Sequence, residues 1–203
     1  NYANNWKKAL NKRLTDTTIH IFPEMDSADE VEFVVCWKPA VDVLDQFPNL
    51  KVVQSLGAGV ENITRTNQIP ANAVLSRIVD SNLAEDMWEY TLTATLYFLK
   101  NLNRYRNQQQ EKTWKQKRYR RIKDTSVCVL GLGQIGALVA KNLAALGFRV
   151  KGWSNSPKTI PHVTNYAGRD ELSLALHESN VLINVLPLTT ATTASLASGF
   201  ASA

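Results

Sequence analysis

Short apolar runs alternate along this chain with stretches whose apolar residues recur at helical spacing. Trp6, Leu10 and Leu14 fall at helical intervals, so the chain opens in an amphipathic helix. Thr18–Phe22 then reads as a strand stopped by Pro23, and Phe33–Trp37 as a second stopped by Pro39. A short helix is predicted around Val41–Phe47, closed by Pro48. Leu50–Leu56 is a third strand that runs into Gly57-Ala58-Gly59, and Val74–Val79 is a fourth. Leu83–Gln108 changes to one long helix, with Met87, Tyr90, Leu92, Leu96 and Leu99 among its apolar positions. The alternation predicts two α/β units with parallel sheets, divided as residues 1–80 and 81–203.

The second unit holds the strongest local signal. Thr125–Leu130 is a near-continuous apolar run, as expected of a strand buried on both faces. Gly131-Leu132-Gly133-Gln134-Ile135-Gly136 follows directly. Ile135, Leu138, Val139, Leu143 and Leu146 then mark a helix, with Gly147 as its stop. Phe148–Trp153 supplies the next strand and completes a βαβ unit. Three glycines at this spacing carry little weight alone; between a strand and a helix they read as a dinucleotide-binding turn. Gly131 permits the tight turn, Gly133 lets the backbone approach a pyrophosphate, and Gly136 lets the helix pack on the sheet. The helix N-terminus then presents unpaired amides and a positive dipole end to phosphate. Glu171–Glu178 reads as a crossover helix, and Val181–Leu186 as a further buried strand ending at Pro187.

The end of the strand after the turn discriminates between cofactors. NAD sites place Asp or Glu there, to accept hydrogen bonds from the adenosine ribose. This strand ends Trp153-Ser154-Asn155-Ser156-Pro157-Lys158, without an acid. Hydroxyls, an amide and a lysine suit a 2′-phosphate that a carboxylate would repel. NADP is therefore the preferred cofactor, with NAD the alternative.

Composition adds limits. Hydrophobic residues make up 44% and charged residues 20%, ordinary for a globular chain, and no apolar run reaches membrane-spanning length. Cys36 and Cys128 sit in strand-like runs and read as buried thiols of a reducing compartment, which gives a cytoplasmic expectation. The three histidines include no pair at metal-ligand spacing, so no metal site is expected. The net charge of +5 is concentrated: ten Lys and Arg lie between Lys100 and Lys123 against the single acid Glu111. A solvated linker and helix end is the first reading of this segment, and attraction of an anionic ligand to a nearby cleft the second. Nucleic-acid binding ranks last, for want of a base-reading motif. The chain begins at Asn1 rather than Met, and Thr189–Ala203 carries no charge, so an incomplete sequence is expected at both ends.

Three features together resemble the D-isomer-specific 2-hydroxyacid dehydrogenases. They are Ser55-Leu56-Gly57-Ala58-Gly59-Val60-Glu61-Asn62-Ile63; the Gly131–Gly136 turn after a long helix carrying Glu89-Tyr90; and Leu186-Pro187-Leu188-Thr189 with Thr192. Val35–Pro39, Leu56–Val60 and Trp153-Ser154 place the resemblance nearest the glyoxylate/hydroxypyruvate reductase A branch. The resemblance covers roughly residues 1–193. It implies an incomplete Rossmann doubly wound parallel sheet plus a smaller flavodoxin-like α/β substrate domain whose first strand is missing. It implies hydride transfer from NAD(P)H to a small 2-oxo acid, in a homodimer, without nucleic acid or membrane as partner.

Residue by residue, it implies that the amides of Ala58 and Gly59 hold the substrate carboxylate, and exposed amides at a glycine-rich strand end do suit an anion. Trp37 falls where the family has a residue near the substrate mouth; as an isolated aromatic it reads as packing. Gln134 and Ile135 would meet the pyrophosphate, with Gly131, Gly133 and Gly136 shaping the turn. Ser154, Asn155, Ser156 and Lys158 would meet the adenosine end, and Leu186, Pro187 and Thr192 the adenine ribose side. The family's catalytic Arg, Glu and His lie beyond the Leu-Pro-Leu-Thr segment and have no counterpart in this chain, and His20, His162 and His177 stand in the wrong contexts. No catalytic residue is therefore expected within it. A non-catalytic NAD(P)(H)-binding regulator of the same fold is the alternative from a different class. A ketol-acid reductoisomerase-like enzyme is a third, opposed by the Ala58-Gly59 loop.

Overall fold

The computed structural model describes residues 2–189 and Thr192. Two compact units emerge, Asn1–Val79 and Asp80–Ala203. The first opens with helix α1 (Tyr2–Asn11) and builds a three-stranded parallel sheet in the order β1-β2-β3, from Phe33–Cys36, Val52–Ser55 and Val74–Ser76. The short helix α2 (Glu61–Thr64) lies between β2 and β3. The register aligns Val34, Val53 and Leu75. These side chains pack with Val43, Leu44, Phe47, Leu50 and Ile63 into one apolar cluster. Val43 and Leu44 come from a 3-10 turn, Val43–Gln46, where a longer helix was expected. Buried Asn67 fixes that turn, accepting from the Leu44 amide at 3.2 Å and donating to the Ala40 carbonyl at 3.0 Å.

The strand expected over Thr18–Phe22 does not form. Ile21 makes only an isolated antiparallel bridge to Glu24, across a turn with a cis Phe22–Pro23 peptide. β-Branched composition stabilises a strand only against a neighbour, and this segment has none.

The second unit starts with α3 (Ser81–Leu99), whose Asp80 cap accepts the Asn82 amide at 2.9 Å. The single long helix expected here is two. Asn101 adopts a left-handed φ of 58° and separates α3 from α4 (Leu102–Gln110), a conformation Asn tolerates better than most side chains. The basic residues that follow do not form a slack linker. Side chains of Asn101, Tyr105 and Gln108 hydrogen-bond the backbone of Arg118, Lys117 and Lys115, while Trp114 stacks on Tyr105 at 5.4 Å.

Four parallel strands follow in the order β6-β5-β4-β7: β4 Ser126–Leu130, β5 Arg149–Ser154, β6 Val163–Ala167 and β7 Val181–Asn184. All five residues of β4 are buried, because helices cover both its faces. Helix α5 (Gln134–Ala145) and α3 lie on one face, burying Val127, Val129, Val139 and Leu143 against Trp88, Leu96 and Leu99. Helix α6 (Leu172–Leu176) lies on the other, with Ala175 against Cys128, Leu130 and Trp153. This is a doubly wound arrangement of the Rossmann type. Among the described residues no helix is long and apolar enough to cross a membrane.

Candidate dinucleotide and anion sites

In an open parallel sheet, ligands meet the carboxyl ends of the strands where the strand order reverses, here at β4 and β7. The glycine turn lies at that point. Gly131 has φ +95° and donates to the Trp153 carbonyl at 2.8 Å. A Cβ on it would press against the Val185 carbonyl oxygen at 3.0 Å and the Leu186 nitrogen at 3.1 Å. The turn and the end of β7 are thus in close backbone contact, and a larger residue would both strain the left-handed φ and push the two apart. A Cβ on Gly136 would collide with the Gly131 carbonyl oxygen, so α5 starts tight against the turn.

Gly133 is different. Its φ of −72° is ordinary, and a Cβ there would meet nothing within 4 Å. Nothing in the fold requires glycine at this position. Gly133 caps α5 without any side-chain hydrogen bond, and its carbonyl accepts from Ala137 at 2.8 Å. The amides of Gln134, Ile135 and Gly136 have no acceptor among the described residues. Three unpaired amides at a helix N-terminus, beside open space, form an anion cradle that fits a pyrophosphate.

Beyond β5, Ser154 is buried and its Oγ donates to the Ser156 carbonyl at 2.7 Å, so this hydroxyl shapes the turn. Asn155, Ser156 and Lys158 are exposed around it, and no carboxylate belongs to the stretch. At the end of β7 the predicted strand stops two residues early. Asn184 Oδ1 accepts the Leu186 amide at 3.1 Å and turns the chain into Pro187. Thr192 Oγ1 donates to the Pro187 carbonyl at 2.6 Å.

In the first unit, β2 leads into Gly57-Ala58-Gly59. The carbonyls of this loop are all tied back. Ile78 donates to Gly57 at 3.1 Å, Arg77 Nη1 to Ala58 at 3.0 Å, and Ser55 Oγ to Gly59 at 2.8 Å. Ser55 Oγ also accepts the Gly57 amide at 3.1 Å. The amides of Ala58 and Gly59 are left without an acceptor among the described residues. A loop with its carbonyls bound and its amides free can hold an anion, but the Glu61 carboxylate packs against Gly59, so an anion entering here meets a like charge that has to turn away. Trp37 is 62% exposed, so it is not a core aromatic, and its indole nitrogen lies 3.8 Å from the position a Gly57 Cβ would take. Ser55 and Arg77 were not singled out from sequence. Their partners lie two to nineteen residues away, and only the buried polar residue ending an apolar strand gave a hint.

Both cysteines are free thiols. Burial pushes the Cys128 thiol up to about 11 against the opposing pull of Lys151, and burial raises that of Cys36 as well. His162 and the carbonyl of His177 lie toward the amino-terminal edge of the β6-β5-β4-β7 sheet, opposite the glycine turn. His20 lies in the turn segment ahead of β1.

Comparison with known proteins gives a concordant result. Residues 92–199 match the family described as D-isomer specific 2-hydroxyacid dehydrogenase, NAD binding domain. The chain is 35% identical over 190 residues to glyoxylate/hydroxypyruvate reductase A of Photorhabdus laumondii, covering 91% of this chain and 60% of that protein. It therefore spans about 60% of the length of the curated relatives it matches. A D-isomer-specific 2-hydroxyacid dehydrogenase of Xanthobacter autotrophicus, solved with NADPH and MES, superposes with a TM-score of 0.84 at 31% identity. That match covers 95% of this chain and 62% of the other. An NADPH-dependent glyoxylate/hydroxypyruvate reductase of Sinorhizobium meliloti, solved with NADP and sulfate, gives 0.76 at 33% identity, covering 84% and 53%.

Proposed function

The chain belongs to the D-isomer-specific 2-hydroxyacid dehydrogenases, and from that premise we propose that it serves the reduction of a small 2-oxo acid, of the glyoxylate or hydroxypyruvate type, with NADPH as the preferred cofactor. The observation that carries this reading is the cradle at Gly133, where the amides of Gln134, Ile135 and Gly136 face open space without acceptors. When bound there, the nicotinamide cofactor supplies the hydride that converts the 2-oxo acid to the 2-hydroxy acid.

The chain's own residues bind and orient. Gln134, Ile135 and Gly136 hold the pyrophosphate through their amides, as oxyanions are held at helix N-termini. Asn155, Ser156 and Lys158 receive the 2′-phosphate, on the turn that Ser154 shapes. Leu186, Pro187 and Thr192 border the adenine ribose side. Ala58 and Gly59 bind the substrate carboxylate through their amides, with Arg77 and Ser55 positioning the loop by its carbonyls. Trp37 stands beside that loop as part of the substrate mouth, in a unit that serves as the substrate-binding domain. His162 and His177 are not offered as the proton donor, because both lie toward the edge of their sheet opposite the glycine turn. A homodimer in the cytoplasm completes the proposal.

The support for NADPH over NADH is the acid-free end of β5, together with NADPH or NADP in the two related structures. Fluorescence titration of the chain with both reduced cofactors tests this, with tighter NADPH binding expected; tighter NADH binding refutes the preference. NADPH oxidation by the protein encoded by the intact gene, with glyoxylate, hydroxypyruvate and pyruvate, tests the reaction. Tight cofactor binding without turnover of any 2-oxo acid would instead favour a nucleotide-binding regulator.

A further inference from the structure

We propose that the cofactor unit carries a second anion site, at the amino-terminal edge of the β6-β5-β4-β7 sheet, for a phosphomonoester that also bears hydroxyl groups. A cavity of about 830 Å³ opens there, lined by Arg120, Arg149, Lys151 and His162, with Glu178 the one carboxylate. That volume falls within the range of small-molecule sites and exceeds the needs of a single ion. The cavity is separate from the glycine turn. β4 runs from Ser126, in the cavity wall, to Leu130, at the turn, a separation of roughly 13 Å over about four steps of roughly 3.3 Å.

The sheet pattern explains why the cavity exists. Strands of a parallel sheet covered on both faces carry apolar residues on both. β5 instead places Arg149, Lys151 and Trp153 on one face. Helix α6 is only five residues long, and its Ala175 covers that face near Trp153, Cys128 and Leu130. The half of the face bearing Arg149 and Lys151 is left to the cavity. Polar residues replace apolar ones here without any packing gain, which is where sequence patterning gives way to function.

The cations are held but not neutralised. Lys151 Nζ donates to the His177 carbonyl, and Arg149 Nη2 to the Asp124 carbonyl at 3.3 Å. Among the described residues the only cation–carboxylate pair is Lys51 with Glu32, in the other unit. Carbonyl bonds aim a cation without cancelling its charge, so the cavity keeps an excess of positive charge. Guanidinium forks and a lysine point charge suit the phosphate oxygens. Ser126 and Thr164 also line the cavity, and a carboxylate such as that of Glu178 suits ligand hydroxyls rather than the phosphate. His162 and Glu178 both hold left-handed backbones, φ 62° and 54°.

Titration calorimetry of the chain with ribose 5-phosphate, with NADPH saturating so that the glycine turn is filled, tests the proposal independently of the catalytic reading. Saturable binding is expected, competed by inorganic phosphate and not by ribose. Arg149→Gln and Lys151→Met should each weaken it about tenfold, the loss expected for one charge-assisted contact. Lys151→Arg should retain it, which separates lost charge from lost folding. Lys112→Gln/Lys115→Gln, on the basic segment that contributes Arg120 but outside the cavity, should leave it unchanged. No binding to the unaltered chain at millimolar concentration overturns the proposal. So does equal binding by all variants, or loss in the Lys112/Lys115 variant alone, since either would assign the affinity to open surface charge.

Discussion

Replacing Gly133 by Ala separates binding from folding more cleanly than any other change in the cofactor unit. The added methyl meets no protein atom within 4 Å, and a φ of −72° is open to alanine. Alanine gains from a less flexible unfolded chain, by about 0.4–1 kcal/mol. It loses a comparable amount, of order 1 kcal/mol, because glycine is the better helix N-cap. The two nearly cancel, so the melting temperature should move by a few degrees at most. Binding is another matter. The methyl occupies the space beside the free amides of Gln134, Ile135 and Gly136. Holding the pyrophosphate off by that width should cost at least one charge-assisted hydrogen bond, about 1.5–3 kcal/mol, or roughly ten- to a hundredfold in Kd. Gly147→Ala is the counterpart: its φ of +91° strains alanine, at about 1–2 kcal/mol, just past the end of α5 remote from the turn. It should lower the melting temperature and leave binding alone. The assay is NADPH fluorescence titration beside thermal melting of each variant. If Gly133→Ala binds NADPH within about twofold of the parent while remaining folded, the amide cradle is not the pyrophosphate site.

Three further outcomes follow from neighbouring features. Gly136→Ala should damage both properties, since its methyl collides with the Gly131 carbonyl and lies 2.8 Å from Val185 Cγ2; overpacking of this kind costs about 1–3 kcal/mol. A variant as stable as the parent would show that α5 can shift away freely. Asn155→Asp places a carboxylate on the exposed end of the β5 turn and should weaken NADPH about tenfold while sparing or improving NADH, measured by the same titration; equal losses for both would remove the 2′-phosphate from this turn. Cys128 gives a pH signature. Its folded pKa of about 11 lies above the ordinary 9.0, so below pH 9 the thiol is protonated in both states. As pH rises from 9 towards 11 only the unfolded chain loses the proton, and stability falls by an amount of order 2–3 kcal/mol. Urea unfolding at pH 8 and pH 10.5 should show a smaller drop for Cys128→Ala than for the parent, and equal drops would refute the assignment.

The parts of the fold legible in the sequence are those fixed by neighbours in the chain. β4 reads as buried because five consecutive residues are covered, and the glycine turn reads as such because strand, turn and helix follow without interruption. What could not be read depends on partners far along the chain. Thr18–Phe22 has the composition of a strand but no strand to pair with, so propensity alone misleads. β6 escaped notice for the opposite reason: Val163–Ala167 is an edge strand of mixed polarity, and its pairing with β5 supplies what its pattern lacks. The break at Asn101 is invisible to apolar periodicity, since Leu99 and Leu102 keep helical spacing across a residue in the left-handed region. The same limit applies to the candidate site. Ala58 and Gly59 could be named from the glycine pattern, yet what occupies their carbonyls is Arg77 Nη1 on one and Ser55 Oγ on the other. Sequence spacing identifies backbone that can bind an anion. Only the hydrogen bonds of the folded loop determine that the amides, and not the carbonyls, are what a ligand meets.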